Sequence, residues 1–275
     1  MLEYKVSKVK YEGDLKEAIT KAVDLIGGFK SYIKRGQKAI LKPNYNSSDP
    51  PPASSDPILV STLVRFLKDA GAKEVIVGDS SMFLLSTDRV FDRTGMREPA
   101  EKAGAKVVVF GDAGWVKLDV GERYLKDIEV AKEVTEADSM VYACCLKTHR
   151  LADYSISLKL GMGLVRSRTR IGWHLRGREN KIAELNTVIK PNLIILDARR
   201  AFITGGPFGG KLAEPNLILA SNDRVALDVE GMKIIKSCPG NTLKRDPWEY
   251  TQIRRAVELG IGSKSDKDYL VIEKV

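Results

Sequence analysis

Four polar clusters in this chain contain residue types that bind anions or move protons, and each cluster follows a short apolar run. They are Lys42 with Asn44, Asp79 with Ser80, Lys147 with Thr148 and His149, and Asp197. Lysine binds carboxylates and phosphates as a compact positive charge, and a neutral imidazole is a natural base near pH 7. If the four runs are parallel strands, the clusters meet at one sheet edge, where ligands bind in open α/β folds. The expectation fails if one of these strands is reversed.

These clusters and a few other residues make up the predicted site. We expect Lys42, Asn44, Lys147 and Arg170 to hold an anion, His149 or His174 to exchange a proton, and Asp79 and Asp197 to position a metal or a substrate hydroxyl. The predicted ligand-binding set also includes Ser80, Thr148, Lys159 and Gly206. Structural roles remain open alternatives, because Asn44 is a common turn residue and Asp79 or Ser80 is a suitable helix cap. For His149 the alternative is an ordinary hydrogen-bonded histidine.

The excess positive charge of the chain lies in its second half. The net charge is +9; residues 1–140 contain 22 basic and 22 acidic residues, whereas residues 141–275 contain 23 basic and 14 acidic ones. Between 147 and 178, eight basic residues face a single acidic residue, Asp153. Arginine predominates there, which suits bidentate contacts with a carboxylate, a phosphate or a nucleic-acid backbone. A solvated basic surface is the alternative without a ligand.

The basic segment also supports a second function from another class, the binding of RNA. The residues predicted to contact nucleic acid are Arg166, Arg168, Arg170, Trp173, Arg176 and Arg178. An arginine-rich loop flanked by glycines, with Trp173 available to stack on a base, is typical of RNA recognition. The same loop would also suit the binding of a phosphorylated small molecule, so the segment by itself does not separate the two functions.

The glycine-rich stretch 205–211 superficially matches the phosphate-binding loop G-x-x-x-x-G-K. Leu212 stands where that motif needs a serine or threonine for magnesium, and the following AEPNLILA predicts a strand in place of the required helix. We therefore reject a nucleotide-binding loop. A glycine turn that brings backbone amides near a ligand, with Gly206 at its centre, is the weaker expectation that remains.

Composition excludes several classes of protein. A chain of 275 residues with 43% hydrophobic and 29% charged residues can bury one large core or two modest ones, which excludes disorder, collagen and coiled coil. No apolar stretch approaches the roughly 20 residues that cross a bilayer, and the start lacks the apolar core of a signal peptide. We therefore expect no membrane partner and a cytoplasmic location. Abundant lysine, arginine and glutamate beside two glutamines favour a thermophilic source.

The cysteines make a disulfide framework or an iron–sulfur cluster unlikely. There are three, Cys144, Cys145 and Cys238, and none has C-x-x-C spacing. The cofactor is therefore unknown, and a divalent metal stays an open alternative. The oligomeric state is not readable from the sequence.

Apolar runs that alternate with segments of helical period predict an α/β fold, with a mainly parallel sheet flanked by helices. Strands are expected near 4–11, 38–43, 74–78, 105–110, 139–146, 192–197 and 216–220. We also expect a hairpin that turns near Gly121 and a helix that begins after a cap at Asp223. The shift in charge suggests two Rossmann-like lobes, 1–135 and 136–275, with a cleft between them. One continuous domain is the alternative.

Several phrases taken together resemble a known family, the one catalogued as domain of unknown function 362. They are ILKPN at 40–44, SDP at 55–57, LVRFLKDAGAKEVIVGDSS at 63–81, LKTH at 146–149, SLKLGMGLV at 157–165, and NLIILDAR, GGPFGG and LILASNDRVALDVEGM within 192–232. Many relatives carry an added ferredoxin-like segment, which this sequence lacks. The layout is also similar to that of the nickel-dependent lactate racemase family. The convergence of the strand-end clusters predicts a cleft for a small anionic ligand or a metal-bearing cofactor. An enzymatic role stays open, and the resemblance leaves the reaction unidentified.

Overall fold

The computed structural model describes residues 3–174 and 177–274, without the side chain of His174. The strands are Tyr4–Lys10 (β1), Lys38–Lys42 (β2), Glu74–Asp79 (β3), Lys106–Val109 (β4), Trp115–Asp119 (β5), Asp127–Ala131 (β6), Ser139–His149 (β7), Asp153–Ser155 (β8), Leu193–Phe202 (β9), Leu212–Ala213 (β10), Leu217–Ser221 (β11) and Tyr269–Lys274 (β12). The helices are Leu15–Asp24 (α1), Phe29–Tyr32 (α2), Pro57–Asp69 (α3), Thr87–Thr94 (α4), Arg97–Lys102 (α5), Lys132–Thr135 (α6), Ser157–Leu160 (α7), Ser167–Ile171 (α8), Arg178–Leu185 (α9), Arg224–Ser237 (α10) and Thr251–Glu258 (α11).

The main sheet is mixed but mostly parallel. Its order is β12-β1-β11-β9-β7-β2-β3-β4, and short β8 and β10 pair with β7 and β9. Strands β9, β7, β2, β3 and β4 are parallel to one another, whereas β11 is antiparallel to both of its neighbours. The predicted α/β fold with a mainly parallel sheet is confirmed. The four strands that carry the polar clusters all point the same way, so their carboxyl ends share one edge.

The central strand β7 explains why both faces of the sheet are covered. All of its residues from Ser139 to His149 are buried. Because side chains alternate across a strand, Tyr142 and Cys144 join one apolar cluster with α9, α10 and α11, whereas Val141 and Ala143 join the opposite cluster with α1 and α3. Two apolar layers therefore hold the sheet rigidly, and the edge where the strands end rests on this support.

Helix ends follow the polar residues that precede them. Asp223 caps α10 by accepting hydrogen bonds from the amides of Val225 (2.9 Å) and Ala226 (3.4 Å), as the sequence predicts. Asp56 caps α3 through the amide of Ile58 (2.8 Å). The expected hairpin is formed by antiparallel β5 and β6, which make a separate two-stranded sheet.

The observed strands depart from the predicted ones mainly at their ends. Strand β7 continues to His149, past the predicted end at 146, and β9 continues to Phe202, past 197. The pairing register between the two strands shifts between Cys145 and Leu146. These extensions exist because β8 and β10 fold back and pair with them, which local sequence does not reveal. Strand β12 was not predicted; its residues alternate in burial only weakly.

One sheet contains strands from both sides of residue 135. Strand β2 pairs with β7, and β1 lies between β11 and β12. The division into lobes 1–135 and 136–275 stays a prediction. In the part of the chain that the structure describes, no helix is long and apolar enough to span a bilayer.

Candidate functional site

A cavity of about 430 Å³ lies where β2, β3 and β7 end, and we call it the cationic cavity. The predicted site residues that line it are Lys42, Asn44, Asp79, Lys147, His149, Lys159, Arg170 and Gly206. Among the described residues, five basic side chains line it, counting Arg150, against one carboxylate, that of Asp79. Its walls come from both sides of residue 135. The parallel strands therefore bring together most of the residues that the sequence selected.

Lys42 and Asp79 form a buried ion pair at the base of the cavity. Lys42 is the last residue of β2 and Asp79 the last of β3, and Nζ lies 2.8 Å from Oδ2. Asp79 also accepts hydrogen bonds from the amides of Tyr45 and Ser80, each at 2.7 Å. Burial lowers the pKa of Lys42, and the Asp79 charge opposes that effect. Asp79 is thus an anchor for the lysine and for two loops, and it does not cap a helix.

Gly163 allows this pair to approach the following segment closely. A Cβ atom at this position would lie 2.3 Å from Asp79 Oδ1 and 2.7 Å from Lys42 Nζ. Its carbonyl accepts a hydrogen bond from the Ser80 amide at 3.0 Å. Only glycine fits there without displacing the ion pair. The sequence analysis did not select Gly163; its signal was a glycine inside the apolar run LKLGMGLV.

Arg170 reaches the cavity from α8. Its guanidinium donates to the carbonyls of Ser80 (2.8 Å) and Ser81 (2.7 Å) and to Ser80 Oγ (3.2 Å). Its Nε is buried and has no hydrogen-bond partner among the described residues. Burial lowers the pKa of Arg170 to about 10. Ser80 therefore acts behind the cavity wall, where it positions Arg170, and it does not line the cavity itself.

Two further lysines, Lys147 and Lys159, add positive charge to the wall of the cationic cavity. Lys147, on β7, is buried and donates to the carbonyl of Ala53, and burial lowers its pKa. Lys159, on α7, forms no side-chain hydrogen bond or ion pair with residues 3–174 or 177–274. Its burial, and then the charges of Lys147, Arg170 and Arg178, lower its pKa to about 7. Lys159 therefore loses its proton much more readily than an exposed lysine.

His149 is the buried last residue of β7 and lines the same cavity. Its Nδ1 accepts a hydrogen bond from the Leu151 amide at 3.1 Å. Only the main chain of His174 is described, in a short 3-10 turn, so its predicted proton exchange stays a prediction.

Asp228, on α10, holds the turn that carries Lys159. It is fully buried and accepts hydrogen bonds from the amide of Ser157 (2.7 Å), from Ser157 Oγ (2.6 Å) and from the amide of Leu158 (3.2 Å). Burial excludes an exposed, solvated role for this helical carboxylate. A helical position cannot show by itself which face is covered when both sides of the helix are packed.

Besides Ser80, two predicted ligand-binding residues do not line the cationic cavity. Thr148 is buried behind it, and its carbonyl lies so close to Gly206 that a Cβ atom there would be 1.8 Å away. Asp197 lies in a second cavity of about 290 Å³, with Asp56 and Arg199. Arg199 contacts both carboxylates, at 2.6 Å for Asp197 and 2.7 Å for Asp56. We call this second site the paired cavity. Asp197 lies there in an ion pair with Arg199, away from the cationic cavity in which it was expected to position a metal or a substrate hydroxyl.

The predicted nucleic-acid residues do not share one open surface. Trp173 is buried in the core, which removes the expected stacking on a base. Arg170 is buried as well, and Arg166 pairs with Glu129 at 2.8 Å. Arg168 is exposed, Arg178 donates to the carbonyl of Leu151, and Arg176 lies outside the described residues. RNA binding stays a prediction, with less support than the sequence suggested.

Further lining residues escaped the sequence analysis. Arg150 donates from its backbone amide to the carbonyl of Gly206 and from Nε to that of Gly205, both at 3.1 Å, which joins the β7 end to the glycine-rich turn. Phe83 and Phe208 also line the cavity. The only available signal was an aromatic residue inside each of two polar or glycine-rich loops.

The side chains do not form a metal centre by themselves. Among the described residues, no three His, Cys, Asp or Glu side chains come together as ligands. The cationic cavity offers one carboxylate, already paired with Lys42, and one imidazole. Its excess of ammonium and guanidinium groups suits an anion better than a bare cation.

Comparisons with known proteins place this geometry in a wider context. The fold is similar to that of the lactate racemase apoprotein from Thermoanaerobacterium thermosaccharolyticum, with a TM-score of 0.52, 11% identity and 84% of this chain covered. This chain spans 57% of that racemase chain. At this identity the likeness concerns the fold alone.

Sequence comparison identifies the family. The chain is 26% identical over 230 residues to the thylakoid-associated protein sll1697 of Synechocystis sp., covering 78% of this chain and 68% of that protein. The model of a domain of unknown function matches residues 40–233, which include nearly all the residues of the cationic cavity described above. The resemblance seen in the sequence is thereby confirmed, and this chain belongs to the family described as domain of unknown function, DUF362.

Proposed function

We propose that the cationic cavity binds a small anionic compound through a carboxylate or phosphate group. One observation carries the proposal: Lys147, Lys159 and Arg170 line one cavity, and none forms an ion pair with a carboxylate among the described residues. The carboxylate of Asp79 is already paired with Lys42. Three cations of the same sign in one cavity repel one another, and an anion between them would relieve that repulsion.

The same geometry supports an active site that exchanges protons. Lys159 has a pKa of about 7 and therefore gives or takes a proton at neutral pH. His149 lines the same cavity and is the second candidate for proton exchange. A bound anion would be fixed by Lys147 and Arg170, which leaves these two groups to act on the rest of the molecule. We propose acid–base catalysis on an anionic substrate as the activity.

Calorimetric titration with inorganic phosphate and with acetate tests the binding step. The variants Lys147→Gln and Lys159→Gln each remove one charge, and Lys190→Gln removes the same charge from an exposed position outside the cavity. A charge-assisted hydrogen bond contributes about 1.5–3 kcal/mol, so each cavity variant should lose roughly tenfold or more in affinity. Lys190→Gln should match the wild type. Equal affinity in all four proteins, or no binding of either anion, would contradict the proposal.

A further inference from the structure

The two ends of the cationic cavity differ in character. Its base is made of Lys42, Asp79, Lys147 and Arg170, all less than a tenth exposed. Its mouth is lined by large apolar side chains that remain exposed to solvent, namely Phe83 at 48%, Leu151 at 55%, Ile171 at 47% and Phe208 at 46%. A small inorganic anion would contact only the base and would leave the mouth wet.

The apolar mouth is assembled from four separate segments. Phe83 follows β3, Leu151 connects β7 with β8, Ile171 ends α8, and Phe208 belongs to the glycine-rich turn. Single exposed apolar residues are ordinary on protein surfaces. Here, however, four of the ten exposed large apolar side chains of the described residues converge on one cavity. Convergence from four segments is difficult to explain as a random property of the surface.

Volume and charge together define the occupant. A cavity of about 430 Å³ lies within the range of roughly 300–1,000 Å³ that holds organic ligands, well beyond the size of a phosphate group alone. Lys147, Lys159 and Arg170, which have no carboxylate partner among the described residues, complement an anionic head, and the exposed apolar side chains at the mouth complement a hydrocarbon body. Burial of that body would remove the apolar surfaces of both partners from water.

We propose that the ligand of this site is a monomeric amphiphilic anion, a carboxylate or phosphate attached to an aliphatic or aromatic body that lies against Phe83, Leu151, Ile171 and Phe208. This inference rests on the proposed function, because it requires that the anion binds at the base. It adds the chemical class of the substrate: the head is recognised by charge and the body by apolar contact.

A homologous series of probes tests the inference. The affinities of inorganic phosphate, ethyl phosphate, butyl phosphate and octyl phosphate are measured by calorimetry below the concentration at which octyl phosphate forms micelles. If phosphate itself does not bind, the series is acetate, butanoate and octanoate. Each methylene that becomes buried should raise the affinity by about two- to fourfold, until the chain outgrows the cavity. The measured quantity is the ratio of octyl to parent affinity.

Variants of the mouth assign the effect to this surface. Phe83→Ser and Phe208→Ser should each lower the ratio of octyl to parent affinity by about threefold or more. The matched control is Leu270→Ser, which changes an equally exposed apolar residue on β12, outside the cavity. That control should keep the wild-type ratio. Circular dichroism shows whether each variant is folded.

The outcomes separate the two proposals. A rising affinity that Phe83→Ser and Phe208→Ser reduce supports the amphiphilic ligand. Binding of the parent anion with no gain along the series overturns the amphiphilic ligand and leaves the proposed function standing. No binding of any probe overturns both. If the protein sediments with phosphatidylglycerol vesicles and the mouth variants do not, while the monomeric series stays flat, the mouth contacts a membrane surface and our inference is wrong.

Discussion

The two cavities at the carboxyl ends of the strands both contain basic and acidic side chains, but the pKa of Arg199 is raised in one and that of Lys159 is lowered in the other. In the paired cavity, Arg199 lies 2.6 Å from Asp197 and 2.7 Å from Asp56. Burial disfavours its charge, but hydrogen bonds to these two carboxylates raise its pKa above the usual range. In the cationic cavity, burial acts without carboxylate partners and lowers the pKa of Lys159 to about 7. Pairing therefore decides whether a buried cation is structural or available to a ligand.

Arg199 has a structural role, whereas Lys159 and Arg170 are available to a ligand. The charges around Arg199 are satisfied within the protein, so a ligand would have to displace an existing ion pair. Lys159 and Arg170 have no such partner among the described residues, and Arg170 keeps a buried Nε without a hydrogen bond. A perturbed pKa in a cavity is a good indicator of function when the perturbation comes from burial of a charge without an ion-pair partner.

The largest expected effect concerns anion affinity in matched arginine variants. Arg170→Gln removes a cation from the cationic cavity, so calorimetric titration with phosphate should show an affinity roughly 10- to 100-fold lower. Arg199→Gln makes the same change in the paired cavity and should bind phosphate within about twofold of the wild type. If Arg199→Gln lost as much affinity as Arg170→Gln, the distinction between the cavities would fail.

Arg199→Gln should lower the stability of the protein, although it leaves phosphate affinity nearly unchanged. Arg199→Gln leaves the carboxylates of Asp56 and Asp197 without their partner, and we expect the free energy of unfolding to fall by about 2 kcal/mol. Urea denaturation at pH 7 measures this change. Adding Asp197→Asn to Arg199→Gln should recover part of the loss, since the repulsion between the two carboxylates is removed. A double variant less stable than the single one would contradict this account of the pair.

The pH dependence of phosphate binding tests whether the charge of Lys159 contributes to affinity in the cationic cavity. Lys159 is charged below its pKa of about 7 and neutral above it, so phosphate affinity should fall as the pH rises from 6 to 9, by about tenfold. Phosphate itself titrates in this range, so octyl sulfate, which keeps one charge, serves as the control probe. In Lys159→Met the part of the pH dependence that Lys159 causes should disappear. Identical pH profiles for the wild type and Lys159→Met would rule out this role of Lys159.

The smallest effect is on stability at Lys159 itself. The pKa of Lys159 is lower in the folded protein than in the unfolded chain, so its protonation opposes folding. The penalty is complete below pH 7 and disappears as the pH rises from about 7 toward its ordinary value of 10.5. Lys159→Met should therefore raise the free energy of unfolding by about 1 kcal/mol at pH 6, and by less at pH 9. Thermal unfolding at the two pH values measures the difference, and a larger gain at pH 9 would reverse the assigned sign.

The amino-acid sequence by itself determined the fold class and most of the wall of the site. Alternation of apolar runs and helical segments predicts β2, β3, β7 and β9, because their residues are buried on both faces and so are continuously apolar. The polar residues that follow these strands are predictable as a cluster, since the ends of parallel strands coincide. Asp223 as a helix cap is likewise a local property.

Tertiary structure alone decided how these residues are used. Asp197 and Lys147 both follow apolar runs near strand ends, yet Arg199 pairs with Asp197 and with Asp56 from a distant segment, whereas no carboxylate of the described residues pairs with Lys147. The sequence predicted Trp173 to be available for stacking on a base, and only the packing shows that Trp173 and Asp228 lie in the interior. The exposed Phe83 and Phe208 line the same cavity because their two loops lie at the same strand ends. Burial and charge pairing depend on neighbours distant in the chain, which is why the pKa of Lys159 and the amphiphilic shape of the cavity follow from the fold.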